Sequence, residues 1–169
     1  MGLVEWTVAG ALVESVEGLL LVRNERRGGR TDWSTPGGVI DATDASLRHG
    51  LTREVEEETG LRVVEWEGPL YTVVAHAPDL GWLMTCEVHR AVAYEGELHV
   101  DDPDGIVVEA VFTAAEACGD LLALCAPWVR EPLADWIEHR WGPEDRREYA
   151  YDVFGTGRDA LRVVRTGTT

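Results

Sequence analysis

Stretches of alternating or unbroken apolar residues, the mark of strands, give way along the chain to stretches where they recur at helical spacing. Trp6 to Val13 and Leu19 to Arg23 are apolar and β-branched, and Glu17-Gly18 between them is a turn signal. They predict two paired strands. Asn24 to Thr35 is polar and rich in Arg and Gly, and Pro36-Gly37-Gly38 closes it. From Ala45 to Thr59 the pattern becomes helical, with Asp44 placed as N-cap and Gly60 as the glycine that ends the helix. Further strands are predicted over Arg62 to Trp66, Leu70 to His76, Trp82 to Ala93 and Ile106 to Phe112. Two shorter helices follow, near Ala114 to Leu124 and Trp128 to Trp141. Thr113 and Glu116 have capping-box spacing for the first of these. Tyr149 to Phe154 and Leu161 to Arg165 predict a closing hairpin around Gly155-Thr156-Gly157. Strands interleaved with helices give an α/β domain with a mixed sheet.

The helix from Leu47 to Glu58 holds an anomaly. On a wheel at about 100° per residue, Leu47, Gly50 and Leu51 share a side with Glu54, Glu57 and Glu58. Arg48, His49, Thr52 and Glu56 form the opposite, solvated side. The core-facing stripe is thus apolar in its first half and carboxylate in its second. Carboxylates at i, i+3 and i+4 have β-carbons about 5–6 Å apart. At an effective dielectric near 20, two such charges repel by roughly 3 kcal/mol, before any desolvation. Such a stripe needs a cation, and hard divalent ions such as Mg²⁺ take oxygen ligands of this kind. A solvated acidic helix end is the alternative reading of the carboxylates taken alone. Arg53, four residues before Glu57, can hold that carboxylate in place. Gly37-Gly38 allow backbone to approach a metal or phosphate closely.

The segment Arg53-Glu54-Val55-Glu56-Glu57-Glu58-Thr59-Gly60-Leu61 resembles, position for position, the second half of the Nudix box, Arg-Glu-aliphatic-x-Glu-Glu-x-Gly-aliphatic. Pro36-Gly37-Gly38 resembles the loop that opens the box, with Trp33 three residues earlier. One position departs. The family places a Glu six residues after the box glycine, where Asp44 stands, and eight before the Arg, where Ala45 stands. The loop carries one extra residue, leaving Asp41 and Asp44 as competing substitutes.

The resemblance implies a single Nudix domain over residues 1–169, an α/β/α sandwich with a mixed β-sheet. It implies hydrolysis of a phosphoanhydride bond in a nucleoside diphosphate-linked substrate, such as a nucleoside triphosphate or an ADP-ribose-like molecule, by metal-activated water. Glu54, Glu57, Glu58 and the Gly38 carbonyl would hold Mg²⁺, or Mn²⁺ in its place. The general base would come from the box helix, which points to Glu57, or from a distal loop. The loop here is Asp101-Asp102-Pro103-Asp104-Gly105, with Asp104 the candidate. Glu109 is either a further ligand or a strand-edge charge. Arg23 is the expected substrate contact, since Arg suits bidentate phosphate recognition. Trp33, Tyr71 and Trp82 could stack on a nucleobase, with core packing the expected role of each, and the Gly37 backbone could approach phosphate. A homodimer is common among relatives.

Composition narrows the field further. Apolar residues make up 45% of the 169, enough for a sizeable core. A net charge of -16 argues against a nucleic-acid partner, though an acidic protein can bind anionic small molecules through divalent cations. All fifteen basic residues are Arg, so Schiff-base and Walker-type lysine chemistry is excluded. Cys86, Cys118 and Cys125 lack metal-ligand spacing and read as free thiols, with Cys118 and Cys125 on one helix face. No apolar run nears the roughly 18 residues that span a bilayer, and Met1 to Glu5 has no signal-peptide character. The expected setting is cytoplasmic, without a membrane partner. Two rival functions remain: a Nudix fold that only binds or senses a nucleotide, and a prenyl diphosphate isomerase that would need Cys86 opposite a glutamate.

Overall fold

A computed structural model describes residues 2–157 and 160–169. Its strands are β1 (Val4–Leu12), β2 (Glu14–Ser15), β3 (Gly18–Glu25), β4 (Thr31–Ser34), β5 (Gly37–Val39), β6 (Arg62–Ala77), β7 (Trp82–Glu95), β8 (Val107–Thr113), β9 (Arg147–Phe154) and β10 (Arg162–Thr168). The helices are α1 (Leu47–Thr59), α2 (Ala115–Leu122) and α3 (Pro127–His139). The strands form two sheets. The larger is mixed, in the order β10-β9-β6-β7-β1-β5, and the smaller joins β2, β3 and β4, with β8 along the other side of β3.

Alternation along the strands feeds two cores. Ala9, Ala11 and Val13 meet Leu51 and Val55 of α1, whereas Leu12 on the opposite face meets Leu122 of α2 and Leu133 and Trp136 of α3. Helices therefore cover both sides of the strands, as a mixed α/β architecture requires.

Several local expectations change. Trp6 to Val13 and Leu19 to Arg23 meet only at their adjoining ends, where Glu14-Ser15 turn back onto Gly18-Leu19 and the Leu20 amide donates to the Val13 carbonyl. Most of β1 instead pairs in parallel with β7 and antiparallel with β5. A strand buried on both faces from Ala9 to Leu12 belongs inside a sheet, with both its ladder edges used. The two strands predicted across Gly68-Pro69 are one element, β6, whose register against β7 shifts between Glu67 and Tyr71. Thr113 does not cap α2, whose first turn has no side-chain cap. Cys125 lies beyond α2, so it shares a core with Cys118 but not a helix face. β9 and β10 pair antiparallel, and β9 extends the larger sheet by running parallel to β6. Positions 158 and 159, in the loop of that hairpin, lie outside the described residues. Among the described residues no helix is long and apolar enough to cross a membrane.

Candidate active site

α1 starts one turn before its chemistry. Ser46 is the N-cap, its side chain accepting from the His49 amide at 3.1 Å, and Gly60 ends the helix in the left-handed region at φ 77°. Ser46 caps because Asp44 is otherwise engaged. The Asp44 carboxylate receives Nε and Nη2 of Arg53 at 3.1 and 3.0 Å and the Asp41 amide at 2.9 Å. Asp41 reaches Arg53 only at 3.6 Å and is mostly exposed. Asp44 thus holds the position that the loop irregularity left open between the two. Arg53 keeps its carboxyl below the ordinary range. A side chain at residue 50 would strike it, since a Cβ there would lie 2.6 Å from Asp44 Oδ2.

Arg53 is the hub of the acidic surface. Its Nη1 donates to Glu54 at 2.9 Å and to Glu57 at 3.2 Å. One guanidinium fixes three carboxylates in a fork geometry that lysine cannot copy.

The double-glycine loop closes on the same helix face. Gly37 has φ 146°, and a Cβ there would lie 2.1 Å from the Ala9 carbonyl, so only glycine fits. Its amide donates to Glu58 Oε2 at 2.9 Å. A Cβ on Gly38 would stand 2.8 Å from Glu54 Oε2, which shows how closely the backbone lies on that carboxylate. Burial pushes the Glu58 carboxyl up to about 8, with Glu54, Asp102 and Glu57 adding like charge and the Gly37 amide opposing. Burial also raises Glu54, against the pull of Arg53. Two of the three carboxylates are therefore turned inward, toward the loop.

The distal acidic loop faces them. Asp104 adds to the field at Glu54 and Asp102 to that at Glu58. Asp102 is a structural residue that sequence reasoning missed. Its carboxylate accepts from the amides of Asp104, Ile106 and Val107 at 3.1, 2.9 and 2.8 Å. The Asp-x-Asp-Gly turn pattern was its visible signal. Asp104 makes no side-chain hydrogen bond among the described residues and is exposed, close enough to add its charge to the field at Glu54.

Other expected residues sit elsewhere. Arg23 pairs across the sheet with Glu109, Nε to carboxylate at 2.9 Å, at a half-exposed position. Trp33 packs its indole on the core beneath α2, and its carbonyl accepts from the Cys125 thiol. Neither lines the cavity beside Gly37 and Gly38, which is bounded by Val8, Tyr71, Val73, Met84, Cys86 and Trp128 among others. Burial pushes the Cys86 thiol up to about 12, so it is no nucleophile at neutral pH.

Among the described residues no group of three or more His, Cys, Asp or Glu side chains is arranged to hold a metal ion. The donor set nevertheless fits a hard cation. Glu54, Glu57 and Glu58 supply only oxygens, Glu54 and Glu58 lie against the double-glycine loop, and Arg53 offsets only part of their charge. Mg²⁺ keeps several waters and asks for just such a partial set of protein ligands.

Residues 5–137 match the family described as NUDIX domain. The chain matches no curated protein. Solved structures share the fold. The MutT NUDIX hydrolase from Burkholderia pseudomallei is 25% identical, with TM-score 0.58 over 67% of this chain and 85% of that one. The MutT protein from Bacillus halodurans is 20% identical, with TM-score 0.64 over 94% and 97%. A NUDIX hydrolase from Nitrosomonas europaea is 21% identical, with TM-score 0.64 over 84% and 95%. With the box helix, its arginine hub and the double-glycine loop assembled in this way, the chain belongs to the Nudix hydrolase family of pyrophosphohydrolases.

Proposed function

We propose that the protein hydrolyses a phosphoanhydride bond in a nucleoside diphosphate-linked substrate, with Mg²⁺ as its cofactor and Mn²⁺ able to replace it. One observation carries this reading: Glu58 and Glu54 turn away from solvent, against the Gly37-Gly38 backbone, although burial opposes their charge. Glu54, Glu57, Glu58 and the Gly38 carbonyl would hold the ion. When bound, it would offset phosphate charge and acidify a coordinated water.

The chain's own residues divide the remaining work. Arg53 orients Glu54 and Glu57 and is itself anchored by Asp44. Asp104 is the proposed base. Its carboxylate is free of side-chain hydrogen bonds among the described residues, whereas an oxygen of Glu57 is held by Arg53. Arg23, at the end of β3, would meet phosphate by leaving Glu109, and Trp33 would support the loop from below rather than stack on a base. The Gly37 backbone would lie beside the phosphates while its amide holds the ionised Glu58 carboxylate. Three free cysteines support a cytoplasmic setting.

The test is a panel of nucleoside triphosphates, ADP-ribose, dinucleotides and sugar nucleotides with Mg²⁺, assayed for phosphate, pyrophosphate and nucleoside monophosphate. Turnover of at least one is expected. Silence across the panel, with Mn²⁺ binding intact, would leave a nucleotide-binding domain instead. Asp104→Asn should cut kcat about 10²–10⁴-fold and keep Mn²⁺ affinity, while Glu57→Gln should lose both. An Asp104→Asn enzyme of normal kcat would move the base to Glu57.

A further inference from the structure

The cavity beside the double-glycine loop has a volume of about 210 Å³. Its floor is the face of the larger sheet that carries Val8, Val73, Met84, Cys86 and Val88, and its opposing wall is Trp128, Val129 and Leu133 of α3. Gly37 and Gly38 border it on the side of the carboxylates. Among the described residues Arg26 is the one charged side chain on its lining, and that guanidinium already holds Asp32 at 3.0 and 3.2 Å. Whatever group enters is therefore uncharged and mostly flat or apolar.

One polar group is out of place there. Tyr71 is only 3% exposed, yet its hydroxyl has no hydrogen-bond partner among the described residues. Its ring is fixed edge-on against Trp141 and Tyr149, with centroids 6.2 and 5.9 Å away. The neighbouring Trp141 Nε1 donates to the Leu70 carbonyl, and Tyr149 and Tyr151 bond to Asp135 and Glu131. Every other polar tip in this aromatic cluster is thus satisfied. Among the described residues the fully sealed, unpartnered side-chain atom is His89 Nδ1, not the Tyr71 oxygen. The Tyr71 oxygen is therefore reached from the cavity that its residue lines. Open to the cavity and without a protein partner, that hydroxyl is free to bond a ligand that displaces water from it. Burial holds it and the Cys86 thiol neutral, so the floor suits an uncharged ligand.

We infer that Tyr71 is a specificity-determining residue: its hydroxyl reads the edge of a planar nitrogen heterocycle of nucleobase size, seated between the sheet floor and Trp128. A sugar fits the lining less well, because most of its hydroxyls would meet valines, methionine and tryptophan, with Tyr71, Ser34 and Thr35 as the hydroxyl partners. A heterocycle offers flat faces to the apolar walls and a few polar edge atoms to Tyr71. The inference rests on the proposed function for placing the diphosphate at Gly37-Gly38.

The experiment is calorimetric titration of the full chain, with Ca²⁺ in place of Mg²⁺, using ADP, GDP, CDP, UDP and inorganic pyrophosphate. The native protein is expected to prefer one or two bases over the others and over pyrophosphate. Tyr71→Phe should weaken the preferred base roughly three- to tenfold, flatten the ranking, leave pyrophosphate unchanged and melt no lower than the native protein. Met84→Trp, which fills the cavity, should bind all four nucleotides no better than pyrophosphate. An unchanged base ranking in Tyr71→Phe overturns the inference and leaves the proposed hydrolysis standing, as do equal affinities for all five probes in the native protein. If neither variant folds, adenine, guanine, cytosine and uracil nucleosides compete for the native site, and absence of competition overturns it. Binding to none of the five, with no hydrolysis in the panel, overturns both.

Discussion

Replacing Glu58 by Gln separates the cost of the site from its use. In the folded protein burial raises this carboxyl from 4.5 to about 8, so between those values the native state binds more protons than the unfolded chain. The group therefore contributes most below pH 4.5, and stability falls as pH rises through 8. At 1.36 kcal/mol per unit, the full shift corresponds to an upper bound of about 5 kcal/mol. Glu58 is not wholly sealed, and water will screen part of this. A loss of about 2–4 kcal/mol in the metal-free protein above pH 8 is the working expectation. Gln keeps an oxygen for the Gly37 amide and removes the charge. In a chain of this length the variant should melt about 5–12 °C above the native protein at pH 9 in chelator, and near it at pH 5. Differential scanning calorimetry at the two pH values reads this directly. Turnover with Mg²⁺ should fall by several orders of magnitude. Equal melting temperatures at pH 9, or a native protein no less stable at pH 9 than the variant predicts, would refute an inward, uncompensated Glu58.

Arg53→Lys should cut Mn²⁺ affinity and kcat about 10–100-fold, because an ammonium cannot span Asp44, Glu54 and Glu57 together; a titration with kinetics checks it. The two loop glycines should behave differently. Gly37→Ala places a Cβ against the Ala9 carbonyl at positive φ and should destabilise the fold by about 2–4 kcal/mol in urea unfolding. Gly38→Ala meets only the movable Glu54 carboxylate, so stability should change by less than about 1 kcal/mol while kcat drops at least tenfold.

Local chemistry made α1 legible. Its periodicity, its Gly60 terminus and its misplaced carboxylates all follow from neighbouring residues, and so do the strands taken one at a time. What the sequence concealed depends on distant partners. Nothing near β1 says that its edges belong to β7 and β5, nor that Asp44 would serve Arg53 and leave the cap to Ser46. Trp33 was a reasonable base platform by type, but its strand turns the indole to the core. The cavity that opens instead is built from six separated stretches of chain, and Tyr71 shows its free hydroxyl only when the hydrogen bonds of its neighbours are known.

β4 ends at Ser34 in the smaller sheet, and β5 begins at Gly37 in the larger, with the Pro36 carbonyl tied to the Ala11 amide. Two residues, Thr35 and Pro36, therefore stitch two independently twisting layers together, and the stitch is also where substrate would be cut. Slippage of one layer against the other, even by a fraction of an ångström, would be felt at Gly38 before any strand parted. Catalytic rate in this protein should thus act as a strain gauge for interlayer packing, sensitive to distant core substitutions that leave the melting curve nearly untouched.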